Sequence, residues 1–290
     1  IAGAVTIANR FHISERWIGM TLVAFGTSLP ELVVTGYAAS SGSPDVALSN
    51  VLGSNVANAW LALGVCALVS PSGRKNFRLS GEFWLSPLFI GVLGSVFILK
   101  GPFATVPIPI PAFFLIITCA YLFFFSGRDK DAEESAGAHL QIGWGKTSVY
   151  LILGLTALLA GSKWIVDGIV HISDSFGWSQ TLLGYSVVAV GTSLPEIASS
   201  VSATMKGKHG LAIANVLGSN LINIGIVYGV TCFFDPIVIS KSAGPALLAA
   251  IIAAFTAPLY TKAKTKIRNM LVFGVFLLLY FLSLFFVFSV

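Results

Sequence analysis

Residues 24–31 read Ala-Phe-Gly-Thr-Ser-Leu-Pro-Glu, and residues 189–196 read Ala-Val-Gly-Thr-Ser-Leu-Pro-Glu. Outward from these octets the likeness covers 19–64 and 184–229 at a constant offset of 165, without a gap, and 20 of the 46 paired positions are identical. A second shared block, Asn-Val-Leu-Gly-Ser-Asn-x-x-Asn, occupies 50–58 and 215–223. Each octet ends on a glutamate, Glu31 or Glu196, set inside a long apolar stretch. A broken polar segment at matching positions of two repeats is the sequence mark of a transporter's binding site.

Composition places both glutamates in a membrane. Only 10% of the 290 residues are charged and 56% are apolar, with a mean hydropathy of +0.87, which excludes an ordinary soluble domain. Nine apolar runs reach bilayer-spanning length: about 17–41, 45–70, 82–100, 108–126, 147–168, 181–205, 210–234, 243–261 and 269–289. All are expected to be helical, because hydrocarbon cannot satisfy an exposed backbone. The three cysteines, Cys66, Cys119 and Cys232, fall in separate runs with no disulfide or metal spacing and read as small packing residues.

The net charge of +5 does not mark a nucleic-acid surface. Assigned to alternate loops, 14 of the 17 lysines and arginines fall on one side, and only Lys100, Lys163 and Lys241 on the other. That bias makes the loops at 72–78, 127–146, 206–209 and 262–268 cytoplasmic. Segment 127–146, with four acids, reads as a linker between halves 1–126 and 147–290.

The second repeat is preceded by an apolar run, and its counterpart at the same offset would lie before Ile1. The expected architecture is therefore an all-α membrane protein with two inverted repeats of five transmembrane helices. Nine spans are present and the first is absent from this sequence. An odd number of spans per half makes the repeats enter the membrane from opposite sides.

Of the twelve acidic residues, only Glu31 and Glu196 lie deep within spans, and no Lys, Arg or His in the repeat cores can pair with them. A carboxylate at mid-membrane costs at least about 2.5 kcal/mol, so a mobile cation is the expected partner. Thr27 and Glu31 share a helix face at a spacing of four, as do Thr192 and Glu196, Ser54 and Asn58, and Ser219 and Asn223. Carboxylate, hydroxyl and amide oxygens together suit a hard cation such as Ca²⁺, and the absence of Cys and His from both blocks argues against zinc or copper. Pro30 and Pro195 break the backbone ladder, which is expected to free carbonyls such as those of Ala24 and Ala189. Gly53 and Gly218 are expected to let the second block approach the first closely. Asn50, Asn55, Asn215 and Asn220 read as structural bridges or caps, whereas Asn58 and Asn223 read as ligands. The four histidines (His12, His139, His171 and His209) read as solvated, in loops or near interfaces.

The two GTSLPE segments, each followed by a GSN-x-x-N segment, resemble the α-repeats of the cation/calcium antiporter superfamily, nearest to its sodium/calcium exchanger type. The resemblance implies ten helices in two inverted halves, with ions bound at mid-membrane. It implies coordination of Ca²⁺ or Na⁺ by Thr27, Glu31, Ser54, Asn58, Thr192, Glu196, Ser219 and Asn223. It assigns secondary sodium contacts to Ser28, Ser193 and the carbonyls of Ala24 and Ala189. Some relatives carry aspartate where Asn223 stands, and its absence argues against potassium dependence. The proton-coupled branch shows Gly-Asn in place of Gly26-Thr27 and Gly191-Thr192, which favours sodium as counter-ion.

The expected function is Ca²⁺/Na⁺ antiport by alternating access. The alternatives are Ca²⁺/H⁺ antiport through the same glutamates and, from another class, a Ca²⁺-conducting channel. No enzyme activity, cofactor or obligatory protein partner is expected; the ions are cargo and the bilayer is the surroundings.

Overall fold

The computed structural model describes residues 19–70, 82–101, 104–124, 161, 163–234, 238–241, 243–262 and 265–289. The linker 127–146, the loop 72–78, His12, His139 and most of the run 147–168 lie outside the described residues.

The fold is nearly all helical. Helix α1 (Gly19–Thr27) meets α2 (Leu29–Ser40) at a 49° bend, and α3 (Pro44–Val69) follows. Next come α4 (Glu82–Lys100), α5 (Pro109–Phe124) and α6 (163–176). Helix α7 (Gln180–Thr192) meets α8 (Leu194–Met205) at 44°, followed by α9 (His209–Phe233), α10 (Ala243–Thr256) and α11 (Lys266–Phe288). A two-residue antiparallel pair, β1 (Ala104–Thr105) with β2 (Val238–Ile239), ties the turn before α5 to the one before α10.

The bends follow from sequence. Pro30 and Pro195 stand in the first turn of α2 and α8, where a missing N–H costs nothing, and the preceding helix cannot run through them. The break residues Ser28 and Ser193 sit at ψ 7° and 0°. Both hairpins into the next helix close in the same way: Gly42 and Gly207 adopt φ +76°, a left-handed conformation that favours glycine. Ser43 N–H and Lys208 N–H then donate to Ala38 and Ala203 carbonyls, each at 2.9 Å.

Helices α3 and α9 form the centre and are largely buried, whereas α11 is largely exposed. Leu271, Leu278, Phe281 and Phe285 of α11 are exposed, an outer apolar face of the kind lipid covers. The two halves of the sequence interlock: α3 packs on α7 and α10, and α9 packs on α1. Small residues allow this. A Cβ on Gly53 would lie 2.7 Å from Ala189 Cβ, and one on Gly218 would lie 2.8 Å from Met20 Cα and 3.0 Å from Ala24 Cβ. The expected close approach is met, and it joins each second block to the first block of the opposite half.

One expectation needs correction. Helix α6 runs on to residue 176, beyond the expected span end at 168; His171 lies in this extension and is exposed, as a solvated histidine should be. The run stops at Gly177, whose φ of +69° ends the helix; the polar residues before it are tolerated because that face is open. Trp60 is 2% exposed and donates from Nε1 to Thr256 Oγ1 at 2.9 Å.

Candidate functional site

The two bends bring both glutamates to the middle of the molecule. Glu31 and Glu196 occupy the first turn of α2 and α8, where the helix dipole favours an anion, and both are fully buried. Each takes a hydrogen bond from the opposite half. Ser28 Oγ donates to Glu196 Oε1 at 2.9 Å, and Ser193 Oγ donates to Glu31 Oε1 at 3.2 Å. The two serines are the break residues themselves, so each kink supplies a hydroxyl to the other kink's carboxyl group.

The second blocks close around this crossing. Ser219 Oγ donates to Glu196 Oε1 at 3.3 Å, while Ser54 Oγ lies 3.3 Å from Thr192 Oγ1 and 3.5 Å from the Ala189 carbonyl. Thr192 faces the Glu31 carboxyl group and Thr27 that of Glu196. Asn58 and Asn223 lie one turn beyond Ser54 and Ser219 on the same faces, and both are fully buried.

Several polar atoms here have no protein partner. Glu31 Oε2, Glu196 Oε2 and both side-chain polar atoms of Asn58 and Asn223 are buried without a hydrogen bond. An unsatisfied buried group costs about 1–3 kcal/mol, and more when charged. Open carboxylate and amide oxygens, with hydroxyls on the same helix faces, are the donor types a hard cation takes. Among the described residues no His or Cys joins Asp or Glu in a cluster of three, so a transition-metal centre is not what this arrangement offers.

The carbonyls of Ala24 and Ala189 are not freed as expected. They accept the N–H of Ser28 at 2.9 Å and of Ser193 at 3.0 Å, and the hydroxyls of Thr27 at 3.2 Å and Thr192 at 3.3 Å. The helix completes one more regular bond before the proline, whose missing donor falls instead on the carbonyls of Gly26 and Gly191, four residues earlier.

Asn50 and Asn215 bridge helices as expected. Asn50 Nδ2 donates to Thr35 Oγ1 at 2.9 Å, and Asn215 Nδ2 reaches Ser199 and Ser200 at 2.9 Å each. Asn50 does more, because its Oδ1 accepts from Thr192 Oγ1 at 3.2 Å and so positions a hydroxyl beside Glu31. Sequence reading also missed four π-helical segments, Gly19–Val23, Ala57–Ala62, Gly184–Val188 and Asn223–Val227. Asn58 and Asn223 sit within two of them and Ala24 and Ala189 directly follow the others. Such wide turns concentrate at functional sites; the only hint in the sequence was a glycine at the start of two of them, Gly19 and Gly184.

A polytopic helical membrane protein with two buried carboxyl groups crossed between two broken helices belongs to the class of cation transporters. Comparison with known proteins makes the family explicit. The family model described as sodium/calcium exchanger protein matches residues 1–127 and 146–289, and the chain belongs to this family, within the cation/calcium antiporter superfamily. It is 35% identical over 252 residues to the putative antiporter CaxA of Alkalimonas amylolytica, covering 84% of this chain and 77% of that protein. It is 30% identical over 281 residues to the sodium/calcium exchanger MaX1 of Methanosarcina acetivorans, covering 83% and 79%. The more distant Ca²⁺/H⁺ antiporter ChaA of Bacillus subtilis is 23% identical over 224 residues, covering 70% and 63%. Among solved structures, the sodium–calcium exchanger NCX_Mj soaked with 2.5 mM Na⁺ and 0.1 mM Sr²⁺ matches with a TM-score of 0.67 and 28% identity, over 97% of this chain and 90% of that one. The protein is thus an integral membrane cation antiporter, and not an enzyme.

Proposed function

We propose that the chain exchanges Ca²⁺ for Na⁺ across a prokaryotic plasma membrane by alternating access. The observation that carries this reading is the crossed pair Glu31 and Glu196, each with one carboxylate oxygen bonded across the halves and one left open. The ligands are Glu31, Glu196, Asn58, Asn223 and the hydroxyls of Thr27, Thr192, Ser54 and Ser219. Ser28 and Ser193 act as secondary sodium contacts.

Charge neutralisation supplies the mechanism. Two ionised carboxylates are matched by one Ca²⁺ or by Na⁺ ions sharing the same oxygens. Moving them unneutralised between membrane faces is costly, so the site changes sides when loaded and poorly when empty. That requirement alone turns transport into exchange. The halves 1–126 and 147–290 act as inverted repeats whose two related arrangements are the outward-open and inward-open states. The constant offset and the reciprocal bonds between Ser28 and Glu196 and between Ser193 and Glu31 support this. On the charge bias, the loops at 72–78, 127–146, 206–209 and 262–268 face the cytoplasm.

A second reading, Ca²⁺/H⁺ exchange, draws on the name of the ChaA relative and on the same two carboxyl groups, which two protons neutralise as well as one Ca²⁺. The discriminating experiment is ⁴⁵Ca²⁺ uptake into proteoliposomes under a Na⁺ gradient or a pH gradient imposed separately. Uptake driven by Na⁺ alone is expected. Uptake driven only by the pH gradient would transfer the assignment to protons, and Ca²⁺ flux with no counter-ion would identify a channel.

A further inference from the structure

One polar cluster is not absorbed by the carboxylate site. Asn55 of α3 is 2% exposed and Asn220 of α9 is 5% exposed, where the two central helices meet. They occupy equivalent positions in the two repeats, yet they behave differently. Asn220 Nδ2 donates to the backbone carbonyl of Asn55 at 3.2 Å. That carbonyl lies beside the π segment beginning at Ala57, where wider turns displace the regular donors, so capping it is a sufficient structural duty for Asn220. Asn55 returns no such bond: its Oδ1 and Nδ2 both stand buried without a partner, as does Asn220 Oδ1.

Helical spacing places Asn55 next to Asn58 and Asn220 next to Asn223, three residues apart on their helices. All four carboxamides are buried, and every one of their oxygens is open. We propose that the amides of Asn55 and Asn220 extend the carboxylate site into a second, uncharged subsite, shared with Asn58 and Asn223, that holds a monovalent cation. This rests on the sodium/calcium exchange reading and names where one counter-ion sits.

The chemistry selects the occupant. Four neutral oxygens give a cation dipoles without compensating its charge, so a singly charged ion is tolerated at a depth where a doubly charged one requires carboxylates. The open amide nitrogens are donors, which no cation satisfies, so a water molecule accompanies the ion.

The test uses the full chain in proteoliposomes, with Asn55→Ala, Asn220→Ala and the milder Asn55→Ser. Two quantities are measured: ⁴⁵Ca²⁺ uptake against internal Na⁺ concentration, and Ca²⁺/Ca²⁺ exchange without Na⁺. The expected result is a rise of about tenfold in half-saturating Na⁺ with a lower Hill slope in the alanine variants, the size a lost ligand of modest strength gives. Ca²⁺/Ca²⁺ exchange should stay within about twofold, and Asn55→Ser should lie between wild type and Asn55→Ala. Unchanged Na⁺ dependence overturns the subsite, and so does a parallel loss of both activities, which marks a purely structural amide. If wild-type uptake responds to pH gradients and not to Na⁺, the sodium reading fails and the subsite with it. A sodium-driven wild type with unaltered variants refutes the subsite alone.

Discussion

Replacing Glu196 with glutamine isolates the charge from the shape. The isostere keeps an oxygen that Ser28 Oγ and Ser219 Oγ can reach, at 2.9 and 3.3 Å in the parent, so the crossing between halves survives. What changes is the open oxygen, Glu196 Oε2, which becomes an amide nitrogen unable to bind a cation. Removing one member of a buried charged set costs about 3–5 kcal/mol, so calcium affinity should fall by at least about 150-fold. The consequence is readable as thermal stabilisation by ligand. At a Ca²⁺ concentration of about 100 times Kd, binding stabilises the parent by about 2.7 kcal/mol; with Kd raised 150-fold the same concentration gives only about 0.3 kcal/mol. Without Ca²⁺ the variant should melt no lower than the parent, because a buried charge has been removed. Calcium-dependent melting of purified protein, paired with ⁴⁵Ca²⁺ uptake, measures both. A variant that keeps most of its calcium stabilisation and exchanges ions at the parental rate would refute the assignment of Glu196 as a ligand.

Ser28→Ala and Ser193→Ala each delete one cross-half hydrogen bond to a carboxyl group, worth about 1.5–3 kcal/mol, and should weaken Ca²⁺ binding about 10- to 150-fold by titration. An effect on only one of the pair would contradict their equivalence. Gly53→Ala and Gly218→Ala place a methyl group against Ala189 and Met20 backbone or side-chain atoms. Overpacking of this kind costs about 1–3 kcal/mol, so melting should fall and exchange slow in both; unaffected variants would mean the helices separate more easily than the contacts suggest. A cysteine at residue 133 or 264 should resist an impermeant thiol reagent in intact cells and react after permeabilisation, and labelling from outside would invert the proposed topology.

Much of this was legible in the chain because membrane helices obey one-dimensional rules. The bends at Ser28 and Ser193 could be placed from Pro30 and Pro195, and the ligand faces from spacings of four. What a linear pattern does not encode is which half serves which. Ser28 and Ser193 each stand three residues before the glutamate of their own half, and nothing in the repeat says that each bonds the glutamate of the other. Only docking of α3 on α7 and α9 on α1 crosses them. The error over Ala24 and Ala189 has the same local character: counting four residues back from each proline, to Gly26 and Gly191, identifies the deprived carbonyls without any structure.

The places where the two halves differ carry the remaining information. Ser28 and Ser193 keep the two-fold relation, each bonding the other half's glutamate. Ser54 and Ser219 break it, the first turning to Thr192 and the second to Glu196. Identical sequence blocks cannot prefer different partners by local chemistry, since both are Asn-Val-Leu-Gly-Ser-Asn. The difference has to come from how the halves are disposed. On the proposed inverted relation, exchanging the conformations of the halves generates a second arrangement in which Ser219 faces Thr27 and Ser54 faces Glu31. The oxygens around the ion are then the same in type and number, so the cation meets equivalent chemistry on either side of the membrane. Two arrangements that bind the same cargo equally well interconvert without trapping it, which is the condition an exchanger has to meet and a one-way binding protein does not.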